Sequence, residues 1–81
     1  MKSIPKTPRG KANRLRDMYQ RKAGVRSFGI VKSRSGNFIF EASCTKSMYD
    51  EIKKTCKAMG GKTAVGANIG GGETIYYFIF S

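Results

Sequence analysis

Two stretches near the middle of the chain alternate apolar and polar positions with the two-residue period of a β-strand. Residues 25–32 and residues 38–43 both follow this pattern, which sets Phe28 and Ile30 on one face of the first strand. Residues 33–37, between them, are rich in serine, glycine and asparagine. Because these residues favour turns, the pattern predicts a β-hairpin.

The residues that follow have the period of an amphipathic helix. Apolar side chains recur every three or four positions and form one stripe: Met48, Ile52, Cys56 and Met59. We expect Ser47 to cap the start of this helix, with Asp50 in its first turn. Gly60 fits the left-handed position that ends a helix, and Gly61 lets the chain turn back. The stripe must lie on the sheet, so Cys56 is expected to be a core thiol.

A shorter helical pattern lies nearer the N-terminus. In residues 11–22, Leu15, Met18 and Tyr19 recur at helical spacing among charged residues. Residues 1–10 contain both prolines and are expected to be extended. A helix this short is poorly stable alone, so we expect it to dock on the rest of the chain or on a partner.

The C-terminal part predicts two further strands, at residues 62–69 and 74–80. The glycine-rich loop between them leads into Glu73 and a β run, so it is interpreted as a hairpin loop and not as a phosphate-binding loop. The predicted fold class is α+β: a small antiparallel sheet in the order β-β-α-β-β, with one helix packed across a face. We expect residues 25–81 to form this domain and residues 1–24 to form a basic N-terminal arm with the short helix.

Charge is distributed unevenly along the chain. The net charge is +11 at pH 7, and most of the lysines and arginines lie before residue 35, where Asp17 is the single acid. A segment of this kind repels itself, so we expect it to lie against an acidic or polyanionic partner. The residues expected to bind that partner are the cations of the arm and its junction: Arg9, Lys11, Arg14, Arg16, Arg21, Lys22 and Arg26.

The residue types that carry catalysis and metal binding are scarce. The chain has no histidine, and its few acids are spread singly apart from Asp50 and Glu51, so we do not expect an enzyme. Cys44 and Cys56 alone do not make a tetrahedral metal site, and we expect reduced thiols in an intracellular protein. The most apolar run, residues 75–80, is far shorter than the roughly 20 residues that span a membrane.

The stretch over residues 38–62 resembles the small linker domain of phycobilisomes. That domain occurs in rod-capping linkers, in the small core linker and at the C-terminus of larger rod linkers. It has an apolar strand, an aromatic-bearing helix with an apolar stripe, and a helix end that reads Met- or Leu-Gly-Gly-Lys before the next strand. The residues that take those positions here are Tyr49, Ile52, Met59, Gly60, Gly61 and Lys62.

The resemblance implies a non-catalytic linker protein of a light-harvesting antenna. Linkers of this family are basic proteins that bind inside, or cap, rings of acidic phycobiliproteins at the cytoplasmic or stromal face of the thylakoid, without membrane insertion. Tyr49 and Lys62 would join the arm in binding the partner, and the Met-Gly-Gly helix end would be a structural motif. The bilins would belong to the partner subunits, and we expect no cofactor bound by this chain itself. Cys44, which lies off the helix stripe, would be a candidate for bilin attachment.

A small basic RNA-binding or ribosome-associated protein is the alternative interpretation. A basic extension that threads into RNA, and a sheet bearing Phe28, Phe38 and Phe40 for base stacking, would fit the same composition. Another protein–protein adaptor would also fit. Nucleic-acid binding predicts an affinity that falls steeply with salt, whereas a linker is expected to become ordered with its acidic ring.

Overall fold

The part of the chain that the structure describes, residues 5–70 and 73–81, forms a four-stranded antiparallel sheet with two helices. This computed structural model contains, in chain order, α1 (Pro8–Tyr19), β1 (Arg26–Lys32), β2 (Phe38–Cys44), α2 (Lys46–Ala58), β3 (Lys62–Gly70) and β4 (Glu73–Phe80). The strands lie in the order β1-β2-β4-β3, and all neighbours are antiparallel. The predicted α+β fold class is therefore confirmed.

Helix α1 begins earlier than its apolar spacing predicts. Thr7 has an extended backbone, and its hydroxyl oxygen accepts a hydrogen bond from the Gly10 amide at 3.0 Å. Pro8 follows in the first turn, where a missing amide hydrogen is no loss. The prediction of an extended chain is therefore wrong for residues 8–10, because Thr7 and Pro8 start a helix; residues 1–4 of that prediction lie outside the described residues.

The buried side of α1 belongs to the same core as the sheet. Ala12 and Leu15 are 0% exposed and Tyr19 is 5% exposed, whereas Met18 is 48% exposed. Met18 was predicted to lie on the buried apolar stripe, but it does not. The buried stripe of α1 consists of Ala12, Leu15 and Tyr19. The Tyr19 hydroxyl shares a 2.8 Å hydrogen bond with Thr55 Oγ1 on α2. The short helix thus docks on the body as expected, and residues predicted to form an arm complete the core.

Helix α2 follows β2 after a single residue. Thr45 has the extended backbone of an N-cap, so the prediction that Ser47 caps this helix is wrong. Asp50 lies beyond the first turn, so that prediction is also wrong, and it pairs with Lys46 one turn earlier, at 3.2 Å. At the other end Gly60 has φ +82°, which confirms the predicted left-handed residue after the helix.

One face of the sheet is covered by the helices. Residues paired across antiparallel strands share a face, and Phe40 pairs with both Ile30 and Phe78. The Tyr49 ring of α2 lies against this row, 6.0 Å from the Phe78 ring. The buried apolar residues of this layer come from both helices and the two central strands: Ala12, Leu15, Tyr19, Phe40, Ala42, Cys44, Tyr49, Ile52, Cys56, Met59, Tyr76, Phe78 and Phe80. Neither of the described helices covers the opposite face.

Strand β1 departs from regular alternation. Its pairing with β2 shifts between Ser27 and Gly29, so Phe28 lies at a β-bulge and is 49% exposed. Phe28 therefore does not pack with Ile30, which lies against the core. In the glycine-rich loop, residues 71–72 lie outside the described residues, and the flanking strands β3 and β4 pair directly, as the predicted hairpin requires.

Candidate partner-binding surface

A groove runs between α1 and the β1–β2 hairpin. On its helix side stand Arg9, Asn13 and Arg16, which follow one another at intervals of four and three residues and therefore share a side of α1. The burial of Leu15 and Ala12 against the sheet fixes the rotation of the helix. This rotation turns the basic side of α1 towards the hairpin.

The sheet side of the groove is partly apolar. Ile30 and Lys32 come from β1, and Phe38 comes from the start of β2. The Lys32 ammonium lies 5.8 Å from the centroid of the Phe38 ring, within the range of a cation–π contact. The groove encloses about 450 Å³. It thus combines three cations and one amide with two apolar side chains, those of Ile30 and Phe38.

The acids near the groove neutralise it only in part. Arg16 Nη2 lies 3.1 Å from Asp17 Oδ1, but the Asp17 side chain is 59% exposed. An exposed pair of this kind is worth about 1 kcal/mol or less. Arg16 Nε also donates a 3.2 Å hydrogen bond to the same oxygen, so an external anion would bind the other edge of the guanidinium or displace this exposed contact.

The remaining predicted cations are spread around the molecule. Lys11 is half-buried on another side of α1, and its Nζ lies close to Gly60, just past the end of α2. A Cβ added to Gly60 would lie 3.9 Å from this Nζ. Lys22 Nζ lies 3.9 Å from Glu51 Oε1, and so links the end of α1 to α2. Arg14 is half-buried, whereas the exposed residues are Arg21, Arg26 and Lys62. The structure therefore brings only Arg9 and Arg16 of the predicted set into one groove.

Two groove residues were missing from the predicted set. Asn13 shares the spacing of Arg9 and Arg16, so the helical pattern alone would have identified it. Lys32 lies at the far end of β1, and its place beside α1 follows from the tertiary fold. Sequence spacing gives no signal for it.

Tyr49 is a core residue and is not available to a partner. It is 6% exposed, and its ring stacks on Tyr76 with the centroids 3.9 Å apart. Its hydroxyl donates a 3.0 Å hydrogen bond to Thr63 Oγ1 on β3. Lysines 46 and 53 lie over the same ring. The predicted partner contact at Tyr49 is therefore corrected to a packing role that ties α2 to the sheet.

The Met-Gly-Gly helix end has a packing role. Met59 is 6% exposed and belongs to the core. A Cβ added to Gly61 would lie 2.6 Å from both Cys56 Sγ and the Phe80 ring. Only glycine therefore lets the chain leave α2 so close to β4.

Both cysteines are buried free thiols. Cys44 is 0% exposed, at the end of β2 on the helix-covered face. Burial, with a smaller effect from Glu73, raises the pKa of Cys44 from 9.0 to about 11. Bilin attachment requires a thiolate that can reach the bilin, so burial contradicts the predicted attachment at Cys44. Burial likewise raises the pKa of Cys56 to about 11, and this residue is the core thiol that the sequence predicts.

The face of the sheet without helices mixes aliphatic and polar residues. One row of paired residues across it is Val31, Ile39, Ile79 and Lys62. In the next row Tyr77 pairs with Glu41, and its ring covers Gly66 closely enough that an added Cβ would lie 2.7 Å from it. Phe38 and Phe40 belong to the opposite face, where Phe40 is fully buried, and Phe28 is exposed at the bulge, so the three rings of the RNA-binding interpretation do not share one exposed face.

Neither α1 nor α2, in the portion of the chain that is described, is long and apolar enough to cross a membrane. Among the same residues, no three cysteines or acids are grouped in a way that would hold a metal ion. No protein-family model, no curated protein and no solved structure matches this chain.

Proposed function

We propose that this protein is a non-catalytic linker that binds acidic proteins, and that its partners are the acidic phycobiliprotein rings of a light-harvesting phycobilisome. The observation that carries the proposal is the basic side of α1, which the folded core holds in a fixed position. The whole chain has 16 lysines and arginines against 5 acids. Internal ion pairs therefore leave most of its cations for a partner.

The distribution of aromatic residues favours a protein partner over RNA. Proteins that bind single-stranded RNA on a sheet stack bases on exposed aromatic rings. Here Phe40 and Phe78 are 0% exposed beneath the helices, and one row of the open face pairs Val31 with Ile39 and Ile79. A row of aliphatic side chains fits a protein surface better than it fits nucleotide bases.

The order of elements from β2 to β3 supports the assignment to phycobilisomes. The stretch that resembles the small linker domain runs from a strand into α2, through Met59-Gly60-Gly61, and into the next strand. This is the order that the resemblance implies. Attraction between a basic linker and an acidic ring would act over about 8–10 Å at physiological salt, which guides the linker into the ring.

Reconstitution with purified phycobiliprotein rings tests the proposal. The chain would be mixed with acidic rings, and separately with single-stranded RNA, and each mixture followed by sedimentation velocity at about 50 mM and about 200 mM salt. We expect the chain to sediment with the rings at both salt concentrations. Failure to bind any ring would overturn the proposal, and RNA binding that weakens about a thousandfold over this salt range would support the RNA-binding alternative.

A further inference from the structure

We propose that the groove between α1 and the β1–β2 hairpin binds a carboxylate-bearing segment of the partner, in which an acidic side chain stands next to a large apolar one. The groove is lined by Arg9, Asn13, Arg16, Ile30, Lys32 and Phe38. This inference rests on the proposed function, because it supplies a specific contact for an acidic protein partner.

The cations of the groove converge although they are distant in sequence. Arg9 and Arg16 come from α1, whereas Lys32 comes from the end of β1. Three like charges held around one cavity repel one another, and binding of an anion relieves this repulsion. Arginine presents a planar fork of donors that matches a carboxylate, so Arg9 and Arg16 provide directional binding as well as charge.

The apolar residues of the groove favour a carboxylate on an apolar segment over a phosphate alone. Ile30 and Phe38 are partly buried residues that pack against the core and also line the groove. An isolated phosphate gains nothing from contact with these apolar side chains. A leucine or phenylalanine beside a glutamate would contact Ile30 and Phe38, and this contact adds apolar burial to the charge interaction.

The size of the groove suits a short segment of chain. Its volume of about 450 Å³ lies within the range of about 300–1,000 Å³ that is typical of ligand sites. Because the buried side of α1 belongs to the core, the helix wall is in place before binding. A preformed site loses less entropy on binding than a free basic arm would.

Matched charge variants of the full chain test the groove. The groove variant is R9Q/R16Q/K32Q, and the control is R34Q/K54Q/K57Q, which removes the same charge from exposed positions that do not line the groove. The probes are the phycobiliprotein ring and a fluorescein-labelled peptide that alternates glutamate with leucine. Fluorescence anisotropy would give the peptide affinity, and circular dichroism would verify that both variants fold.

We expect the groove variant to bind both probes at least about tenfold more weakly than wild type, because it loses the charge-assisted hydrogen bonds of three cations. We expect the control to lose only about threefold. A matching peptide of glutamate and serine should bind the wild-type groove more weakly than the leucine peptide.

Equal losses in the two charge variants would overturn the groove as a site, while ring binding by the wild type would leave the proposed function standing. Failure of the wild type to bind any ring would overturn the proposed function itself. If an oligothymidylate displaces the peptide and itself loses affinity only in the groove variant, the groove binds phosphate and the carboxylate assignment is overturned.

Discussion

Replacing Leu15 with alanine tests whether α1 belongs to the folded core. Leu15 is 0% exposed and packs in the same cluster as Phe40 and Phe78. The truncation loses about 0.8 kcal/mol for each CH₂-sized group and leaves a cavity, so we expect a loss of about 3 kcal/mol in the free energy of unfolding. A chain of 81 residues has a total unfolding free energy of only about 4–12 kcal/mol. The variant should therefore be severely destabilised.

Urea unfolding followed by circular dichroism would measure this loss. With a slope of about 1 kcal/mol per M, the midpoint of the Leu15→Ala variant should fall by about 3 M. The control is Met18→Ala on the same helix, which is 48% exposed in the wild type and should change the unfolding free energy by about 0.5 kcal/mol or less. Equally small shifts in the two variants would refute the packing of α1 on the sheet, and with it the fixed wall of the groove.

Three further predictions concern the core around α2. Gly61→Ala should lower the unfolding free energy by about 1–3 kcal/mol in thermal unfolding, because the new Cβ would lie 2.6 Å from Cys56 Sγ; an unchanged melting temperature would contradict the close approach. Tyr49→Phe should cost about 1 kcal/mol by removing the 3.0 Å hydrogen bond to Thr63, and a double-mutant cycle with Thr63→Val should show coupling, whereas additive losses would argue against that bond. Cys44 and Cys56, whose pKa values burial raises from 9.0 to about 11, should react with an aromatic disulfide reagent only after unfolding. The stability that the protonated thiols contribute should be fully present below pH 9.0, the ordinary pKa of cysteine, and should be lost as the pH rises through about 11. Urea midpoints measured at a series of pH values would show this loss. Rapid reaction of the native thiols would contradict their burial.

The regular parts of the fold could be predicted because local pattern and tertiary packing agree there. In α2 the apolar stripe and Gly60 specify which side is buried and where the helix ends. The errors lie where a local signal competes with another. Thr7 and Pro8 start α1 earlier than the apolar spacing indicates, and the β-bulge of β1 moves Phe28 out of the alternation that predicted it beside Ile30.

The candidate site could be predicted only as a region of charge. Sequence alone identifies the cations of α1, but it does not say which of them meet a cation from β1. Lys32 joins Arg9 and Arg16 because the hairpin packs beside α1, which is a long-range contact. Tyr49 was expected to face a partner, and the sequence gives no sign that Tyr76 on β4 covers its ring.

The folded structure changes the expected form of partner binding. A free basic arm would become ordered only on its partner and would lose conformational entropy in doing so. Here the helical part of that arm is already docked through Leu15 and Tyr19, so its basic side is presented by a rigid element. We therefore expect binding to depend on where the cations stand, and the matched groove and control variants compare these positions at equal net charge.

Recovery of the native protein from the cells that make it tests the proposed linker function most directly. Extraction conditions that preserve large assemblies would be followed by sedimentation, and each fraction would be examined for visible bilin absorption and for the ultraviolet absorption of nucleic acid. The linker proposal predicts that the chain sediments with coloured, bilin-bearing rings. A colourless complex rich in nucleic acid would contradict that proposal and support RNA binding.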